Sequence, residues 1–179
     1  MEAHMIRSAF ERVEATRYEG VQLIQQPVKL QRDPSLSEEE LAKLDDATGQ
    51  ASQKRYCPVL LADLPEYPTV FLLNRIQHRL KLPLCWVDCP AFARGYQDDR
   101  LRTLARLLAD AQAANWLVVL TEAQALFEHL GAQNDDPLER SLGYLEQSRG
   151  MIVIHSAPGN VLARLETRLP LRIPTRSSA

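Results

Sequence analysis

The chain has 179 residues, of which 45% are hydrophobic and 25% are charged, and its formal net charge is −2. This length suits one domain with a sizeable core, or a domain with an N-terminal extension, and the charge argues against binding nucleic acid through bulk charge. No apolar run approaches the roughly 18 to 20 residues that span a bilayer. The charged N-terminus lacks the apolar core of a signal peptide, so we expect a cytoplasmic protein.

The N-terminal third, residues 1–56, is predicted to be an extension made of helices and loops. Residues 1–17 have apolar positions at helical spacing between charges. The stretch SLSEEELAKL begins at Ser35 and indicates a helix start, because serine caps a helix and glutamates in its first turn suit the helix dipole. The polar residues 45–55 after it are predicted to form a mobile connector.

Residues 57–174 are predicted to form one α/β domain, followed by a tail at residues 175–179. Short apolar runs alternate here with segments of helical spacing at 68–80, 98–115, 135–148 and 159–169. This alternation is typical of parallel strands covered by helices on both faces. We therefore expect a three-layer α/β/α fold with a five-stranded parallel sheet, whose strands are CPVLLA, LPLCWVD, WLVVL, MIVIHS and LPLRI.

The three cysteines, Cys57, Cys85 and Cys89, form no CxxC pair. Cys85 and Cys89 are four positions apart and His78 lies upstream, which resembles part of a zinc site. Structural zinc usually takes four ligands in paired knuckles, and Cys85 lies inside an apolar run. We expect these cysteines to be small buried apolar residues, and we expect no metal.

The order of four phrases resembles the large subdomain of AAA+ ATPases, and it covers residues 57–173. LKLPLCWVDCPAFARGYQDDRLRTLARLLADAQAAN resembles the family's second strand and the helix after it, and LVVLTEAQALFE resembles its Walker B strand. LGYLEQSRGMIVIHSAPGN resembles the fourth strand with its sensor asparagine, and LARLETRLPLRI resembles the segment with the arginine finger. Within that family, the resemblance is nearest to ATPases that accompany contractile, phage-tail-like particles. Only PTRSSA follows Ile173, where the family has its lid subdomain, so the resemblance implies a domain without a lid.

The phosphate-binding loop of that family corresponds here to DLPEYPTV, whose changed positions are Asp63, Pro65, Glu66, Pro68, Thr69 and Val70. A phosphate loop needs glycines, so that backbone N–H groups approach the phosphates, and a lysine that reaches them. This segment has neither, its two prolines lack an N–H, and its glutamate adds negative charge. By the resemblance, Thr69 replaces the lysine and Val70 replaces the magnesium-binding hydroxyl. The segment therefore predicts no nucleotide cofactor.

The other polar functions of the family are also mostly missing. The resemblance aligns Thr121 with the aspartate that holds magnesium, and a lone hydroxyl is a poor anchor for Mg²⁺. Glu122 aligns with the residue that polarises the attacking water, Ala157 with the sensor asparagine, and Arg168 with the arginine finger. Phosphoryl transfer depends on positioning and charge neutralisation, so we expect no ATPase activity.

The sequence thus predicts a pseudo-ATPase that works as a protein-binding, assembly or regulatory module. Its partner is expected to be a protein, such as an active AAA+ ATPase or a macromolecular assembly, and a homo-oligomer stays open. Membrane and nucleic acid are not expected partners. Glu122 is expected to have a structural role, and the candidates for partner contact are Arg164, Arg168 and Arg172.

Two alternatives remain open on the sequence. One is an ATP-dependent AAA+ subunit with an unusual loop, which uses Glu122 and an Arg168 supplied by a neighbour. The other is a clamp-loader-like, DNA-associated subunit with a basic edge formed by Arg164, Arg168, Arg172 and Arg176.

Overall fold

The computed structural model describes residues 10–27, 37–52, 57–62, 73, 76–77, 80–127, 139–141, 143–144, 151–168 and 171–173. Among these residues is a seven-stranded sheet. Its strands are β1 (Phe10–Ala15), β2 (Val21–Pro27), β3 (Cys57–Ala62), β4 (Leu84–Asp88), β5 (Leu117–Thr121), β6 (Met151–Ser156) and β7 (Leu171–Ile173).

The strands lie in the order β1-β2-β4-β5-β6-β3-β7. The last five in this order are parallel to their neighbours, with β4 on β5, β5 on β6, β6 on β3 and β3 on β7. The first two are antiparallel, because β1 pairs with β2 and β2 pairs with β4. The α/β class is therefore confirmed, but the predicted all-parallel sheet is wrong, because the sheet is mixed and has two further strands.

Those two strands come from the segment that was predicted to be an N-terminal extension of helices and loops. The helix predicted over residues 1–17 is wrong at Phe10–Ala15, which is a strand, and residues 1–9 lie outside the described part. In β1 Phe10 and Val13 are three residues apart, which fits helical spacing, but pairing with β2 makes the segment a strand. Since β2 pairs with β4, the predicted boundary at residue 57 divides strands that belong to one sheet.

The helices with defined bounds are α1 (Glu38–Ser52), α2 (Cys89–Gly95), α3 (Arg100–Ala114) and α4 (Asn160–Arg168). Helix α1 begins where its glutamates predicted it, but it continues to Ser52, so the predicted connector is helical over residues 45–52. Described residues within the predicted helices at 68–80 and 135–148 are also helical. Helix α3 ends at Asn115, whose left-handed backbone closes the helix by donating to the carbonyl oxygens of Ala111 and Gln112.

Apolar side chains of β4, β5 and β6 are buried on both faces of the sheet. Alternate strand residues, such as Val87, Leu120 and Ile154, join one core cluster with the apolar faces of α2, α3 and α4. Their neighbours in sequence, such as Trp86 and Val119, are also buried and point to the opposite face. Fully buried strands explain why the runs read as continuously apolar rather than alternating.

Among the described residues, the structure has no helix that combines the length and the apolar character needed to cross a membrane.

Candidate functional site at the carboxyl edge of the parallel strands

The carboxyl ends of β4, β5 and β6 lie side by side. Asp88, the last residue of β4, is in register with Thr121, the last residue of β5. Leu120 is in register with Ile154, so β6 ends beside them at Ser156. In open α/β sheets the crevice outside the carboxyl ends of the strands is where ligands bind, so this edge is the place to look for a site.

Thr121 is held inside the sheet rather than presented to a ligand. Thr121 is only 4% exposed. Its Oγ1 donates a hydrogen bond of 2.8 Å to the carbonyl oxygen of Val87, on the neighbouring strand. The hydroxyl therefore connects β5 to β4, and its one proton is used in that bond.

Glu122 directs the chain out of β5 with an unusual backbone conformation. Its φ of 50° and ψ of 50° lie in the left-handed region, which costs a non-glycine residue roughly 1–2 kcal/mol. Its N–H donates to Nδ1 of His155 at 3.4 Å. The side chain of Glu122 makes no capping bond to the 3-10 turn Ala123–Leu126 that follows it.

A second link connects the same two strand ends. The N–H of Ala157 donates to Oε1 of Gln124 at 3.0 Å. Ala157 is the residue that the resemblance aligns with the sensor asparagine. Both links run between the segment after β5 and the end of β6, so the N–H groups of Glu122 and Ala157 bond to side chains across this part of the edge.

The turn between β1 and β2 reaches the same edge. The N–H of Asp88 donates to the carbonyl oxygen of Gly20 at 2.8 Å, and Oδ1 of Asp88 accepts from the N–H of Ala91 at 3.1 Å. Asp88 therefore caps α2, as an aspartate before a helix does. Gly20 has a φ of +74°, and a Cβ there would lie 2.7 Å from the nitrogen of Phe92. Only glycine fits this approach of the turn to α2.

Three polar side chains fasten the same turn to α3. Tyr18 donates its hydroxyl to the Asp110 carboxylate, and Arg17 pairs with the same carboxylate. The hydrogen bond from Tyr18, with the charge of Arg17, lowers the pKa of Asp110. Burial raises the pKa of Tyr18, and the bond to Asp110 raises it further. The turn also donates the N–H of Glu19 to the Tyr96 hydroxyl at 2.9 Å.

These elements enclose a crevice of about 260 Å³, which we call the edge crevice. It lies between the β1–β2 turn and the carboxyl ends of β4 and β5. Its lining residues are Ala15, Thr16, Tyr18, Gly20, Val21, Gln22, Trp86, Asp88, Thr121 and Glu122. The two residues that the sequence singled out, Thr121 and Glu122, therefore meet Asp88 and the hairpin, which the sequence did not connect to them.

The buried cysteines lie beneath this edge and keep their protons. Burial raises the pKa of Cys85 to about 12. The pKa of Cys89 is also raised, first by burial and then by the negative charges of Asp88 and Glu122. Both thiols are free, and among the described residues no group of three metal-binding side chains occurs.

The structure describes only some of the other predicted site residues. The altered phosphate loop, Asp63 to Val70, lies outside the described residues. Arg164 pairs with Glu139 at 3.3 Å on the surface. Arg168 ends α4 and Arg172 lies in β7, while Arg176 lies outside the described part.

Arg100 is a structural residue that the sequence analysis missed. It begins α3 and is only 8% exposed. Its Nη1 donates at 3.4 Å to the carbonyl oxygens of Ala125 and Leu126, so it connects the start of α3 to the end of the 3-10 turn. An arginine after two aspartates reads as a solvated residue, and only the folded chain brings those carbonyl groups to it.

A scan against models of known protein families finds no match for this chain, and a search of curated proteins finds none either.

Proposed function

We propose that the chain is a catalytically inactive AAA+-like domain, a pseudo-ATPase that serves as a protein-binding, assembly or regulatory module in the cytoplasm. The proposal joins the resemblance of residues 57–173 to the contacts at the carboxyl edge. The resemblance supports the AAA+-like fold, and the contacts give a physical reason why this fold would not hydrolyse nucleotide here.

The order of the parallel strands supports the first half of the proposal. In an ATPase of this kind, the loop after the first strand, the acids after the third and the sensor after the fourth must surround one γ-phosphate. Their strands must therefore be neighbours with carboxyl ends at one edge. In this sheet β6 lies between β3 and β5, and all three are parallel.

The buried hydroxyl of Thr121 carries the second half. A magnesium-binding residue has to offer an oxygen to the cation, and Mg²⁺ favours carboxylates and phosphates. Thr121 offers a neutral hydroxyl that is buried and already donates to Val87. Freeing it would leave the Val87 carbonyl without this partner, at a cost of about 1–3 kcal/mol.

The neighbouring groups support the same conclusion. The N–H groups of Glu122 and Ala157 bond to His155 and Gln124. The sequence of the phosphate loop, without glycine or lysine, adds an independent reason. An α/β fold retained without its phosphate-binding groups suits a role in binding other macromolecules, and we assign that role by analogy with the fold.

Calorimetry with the intact chain tests the absence of nucleotide binding. We expect no saturable heat with millimolar Mg·ATP, in a sample whose cooperative unfolding shows that it is folded. Saturable binding would overturn the proposal. So would ATP hydrolysis that Glu122→Gln abolishes, because Glu122 would then act as the water-polarising residue.

A pull-down from the native host, read by mass spectrometry, tests the binding role. Arg164→Glu reverses a charge among the candidates for partner contact, and Arg102→Glu is its matched control. Each disrupts a surface ion pair, with Glu139 and Asp99 respectively. We expect a specific protein to be recovered by the wild type and the control but not by Arg164→Glu. Recovery of the same proteins by all three would argue against Arg164 as a contact.

A further inference from the structure

Strand β1 lies at one end of the sheet, and no other described strand pairs with its outer side. The N–H of Thr16, the residue after β1, donates to the carbonyl oxygen of Val21 at 3.4 Å. Because the bonding direction alternates along an antiparallel strand, the even-numbered residues of β1 bond toward β2. The backbone N–H and C=O groups of Glu11, Val13 and Ala15 therefore point outward, away from β2.

This outer edge lacks two features that commonly prevent edge strands from pairing, a proline and a β-bulge. The sequence of β1, FERVEA, contains no proline, and its register on β2 is the same at both ends. Glu14 and Ala15 are exposed. A described contact of the Glu14 side chain is a long hydrogen bond of 3.5 Å from the amide of Gln25, which does not neutralise its charge. Charged residues also hinder pairing of edges, unless opposite charges meet across the junction.

The charges of β1 discriminate between the ways in which two copies of this strand can pair. An antiparallel pair about a two-fold axis has to place the odd-numbered residues of both copies opposite each other. Two such registers pair most of the strand, and the others pair at most half of it. With Glu11 opposite Val13 of the second copy, Arg12 meets Arg12, and like charges directly opposite are destabilising. With Val13 opposite Val13, Arg12 of each copy meets Glu14 of the other, so the charges are complementary twice.

The register with Val13 opposite Val13 also brings the second copy to a groove beside the edge. This hairpin groove, of about 620 Å³, lies between the β1–β2 hairpin and the end of α3. Its apolar lining residues are all at least partly exposed: Ala15, Leu23, Ala113, Ala114 and Trp116. The register places Phe10 of the second copy opposite Thr16, which also lines the groove. Each copy therefore brings an apolar residue to the groove of the other.

We propose that two copies of the chain associate by antiparallel pairing of β1 with β1, with Val13 opposite Val13 of the second copy. The inference rests on the proposed role as a protein-binding module and names a second copy as a partner. Val13 with Val13, and Glu11 with Ala15 on either side, exchange backbone hydrogen bonds, so the two sheets become continuous. In strand addition of this kind, main-chain bonds provide affinity and side chains provide specificity. Here the specificity comes from the two symmetric pairs of Arg12 with Glu14.

Analytical ultracentrifugation of the intact chain over the micromolar range tests the association. We expect the wild type to dimerise as its concentration rises. Val13→Pro removes an outward N–H without removing a bond to β2, so it should leave the chain monomeric. Val13→Thr is the matched control, because it keeps the N–H and a β-branched side chain, and it should dimerise like the wild type. Circular dichroism and cooperative unfolding show whether both variants are folded.

Charge reversal tests the register. Arg12→Glu and Glu14→Arg each replace two attractive pairs with two repulsive ones, so each should weaken dimerisation roughly ten-fold or more. In a heterodimer of the two variants every one of these charges again meets its opposite. An equimolar mixture should therefore regain the affinity of the wild type, which also shows that both variants are folded.

Three results would overturn the inference: a wild type that stays monomeric, a dimer that Val13→Pro leaves intact, or a mixture of charge variants that associates no better than each alone. A monomeric wild type that recovers a different protein, which Val13→Pro loses, would assign the edge to that protein and overturn it as well. The nucleotide experiment separates the two proposals. If the chain is monomeric and does not bind ATP, the pairing inference fails while the pseudo-ATPase proposal stands. If the dimer forms as described and ATP binds saturably, the pseudo-ATPase proposal fails and the pairing stands.

Discussion

Replacing Gly20 by alanine should detach the β1–β2 hairpin from the rest of the fold. The new methyl group would lie 2.7 Å from the backbone nitrogen of Phe92 and 3.1 Å from the carbonyl oxygen of Asp88. Neither is the movable end of a flexible side chain, so the turn itself has to shift. The shift would break the 2.8 Å bond from the Asp88 N–H to Gly20, which is the link between the turn and the end of β4.

The expected cost follows from two independent terms. The left-handed backbone at Gly20 costs alanine roughly 1–2 kcal/mol. Forcing a methyl group into a closed contact costs typically about 1–3 kcal/mol. Together they lower the free energy of unfolding by about 2–5 kcal/mol, a large part of the roughly 5–15 kcal/mol that domains of this size have.

Urea unfolding, followed by tryptophan fluorescence, measures this loss. Gly49→Ala is the matched control, because Gly49 lies inside α1 and a Cβ there meets nothing within 4 Å. Alanine should stabilise that helix position by about 0.5–1 kcal/mol. Gly20→Asn separates the two terms, since asparagine tolerates the left-handed region but still carries a Cβ. A loss below about 0.5 kcal/mol in Gly20→Ala would refute both the left-handed backbone at Gly20 and the close approach of the turn to α2, since each of the two terms alone costs more.

Four further predictions follow from burial and charge. In a Cys57→Ser background, Cys85 and Cys89 should not react with a thiol reagent at pH 8 until the chain unfolds, because a pKa of about 12 leaves Cys85 a thiolate fraction on the order of 10⁻⁴. Because the pKa values of both thiols are raised in the folded state, the unfolded state loses these protons first as pH rises. The free energy of unfolding should therefore fall above about pH 8.5, by up to roughly 1.4 kcal/mol per pH unit for each thiol. A free energy of unfolding that does not change with pH in this range would contradict the burial of the thiols. In an NMR titration the pKa of the Asp110 carboxyl should lie below its usual value of 3.8, so its contribution to stability is present above that pH and is lost as pH falls through the lowered pKa. Tyr18→Phe should move this pKa back toward 3.8. An unchanged pKa would show that the Tyr18 hydroxyl does not bond to Asp110. Leu107→Ala should lower the free energy of unfolding in urea by about 2–5 kcal/mol, because Leu107 is 0% exposed. Arg106→Ala, at the exposed neighbouring position, should change it by less than about 0.5 kcal/mol. Similar effects at both positions would exclude this orientation of α3.

The sequence predicted the parts of the fold that depend on local burial. The five apolar runs from CPVLLA to LPLRI each contain a strand. In Leu84–Asp88 and Leu117–Thr121 the reason is visible, because a strand buried on both faces has to be apolar throughout. Helix α3 was equally clear, since Leu104, Leu107 and Leu108 recur on one face.

The hairpin was missed because its pairing is not local. Phe10 and Val13 have helical spacing although they lie in β1, and β2 is fixed by its register with β4, more than 55 residues later in the chain. The residues of the site could likewise be predicted from local sequence, but their arrangement could not. Thr121 and Glu122 stand out at the end of their strand, but their meeting with Asp88 and Gln22 depends on strand order, which no single segment encodes.

The position of β2 beside β4 has a consequence for synthesis of the chain. The hairpin emerges from the ribosome before α2 and β4, which it packs against and which are complete only about 70 residues later, at Gly95. At roughly 5–20 residues per second, that interval lasts some 3 to 14 s. A lone two-stranded ribbon is marginal in water. During synthesis the hairpin is therefore exposed for seconds before the strand that β2 pairs with is available.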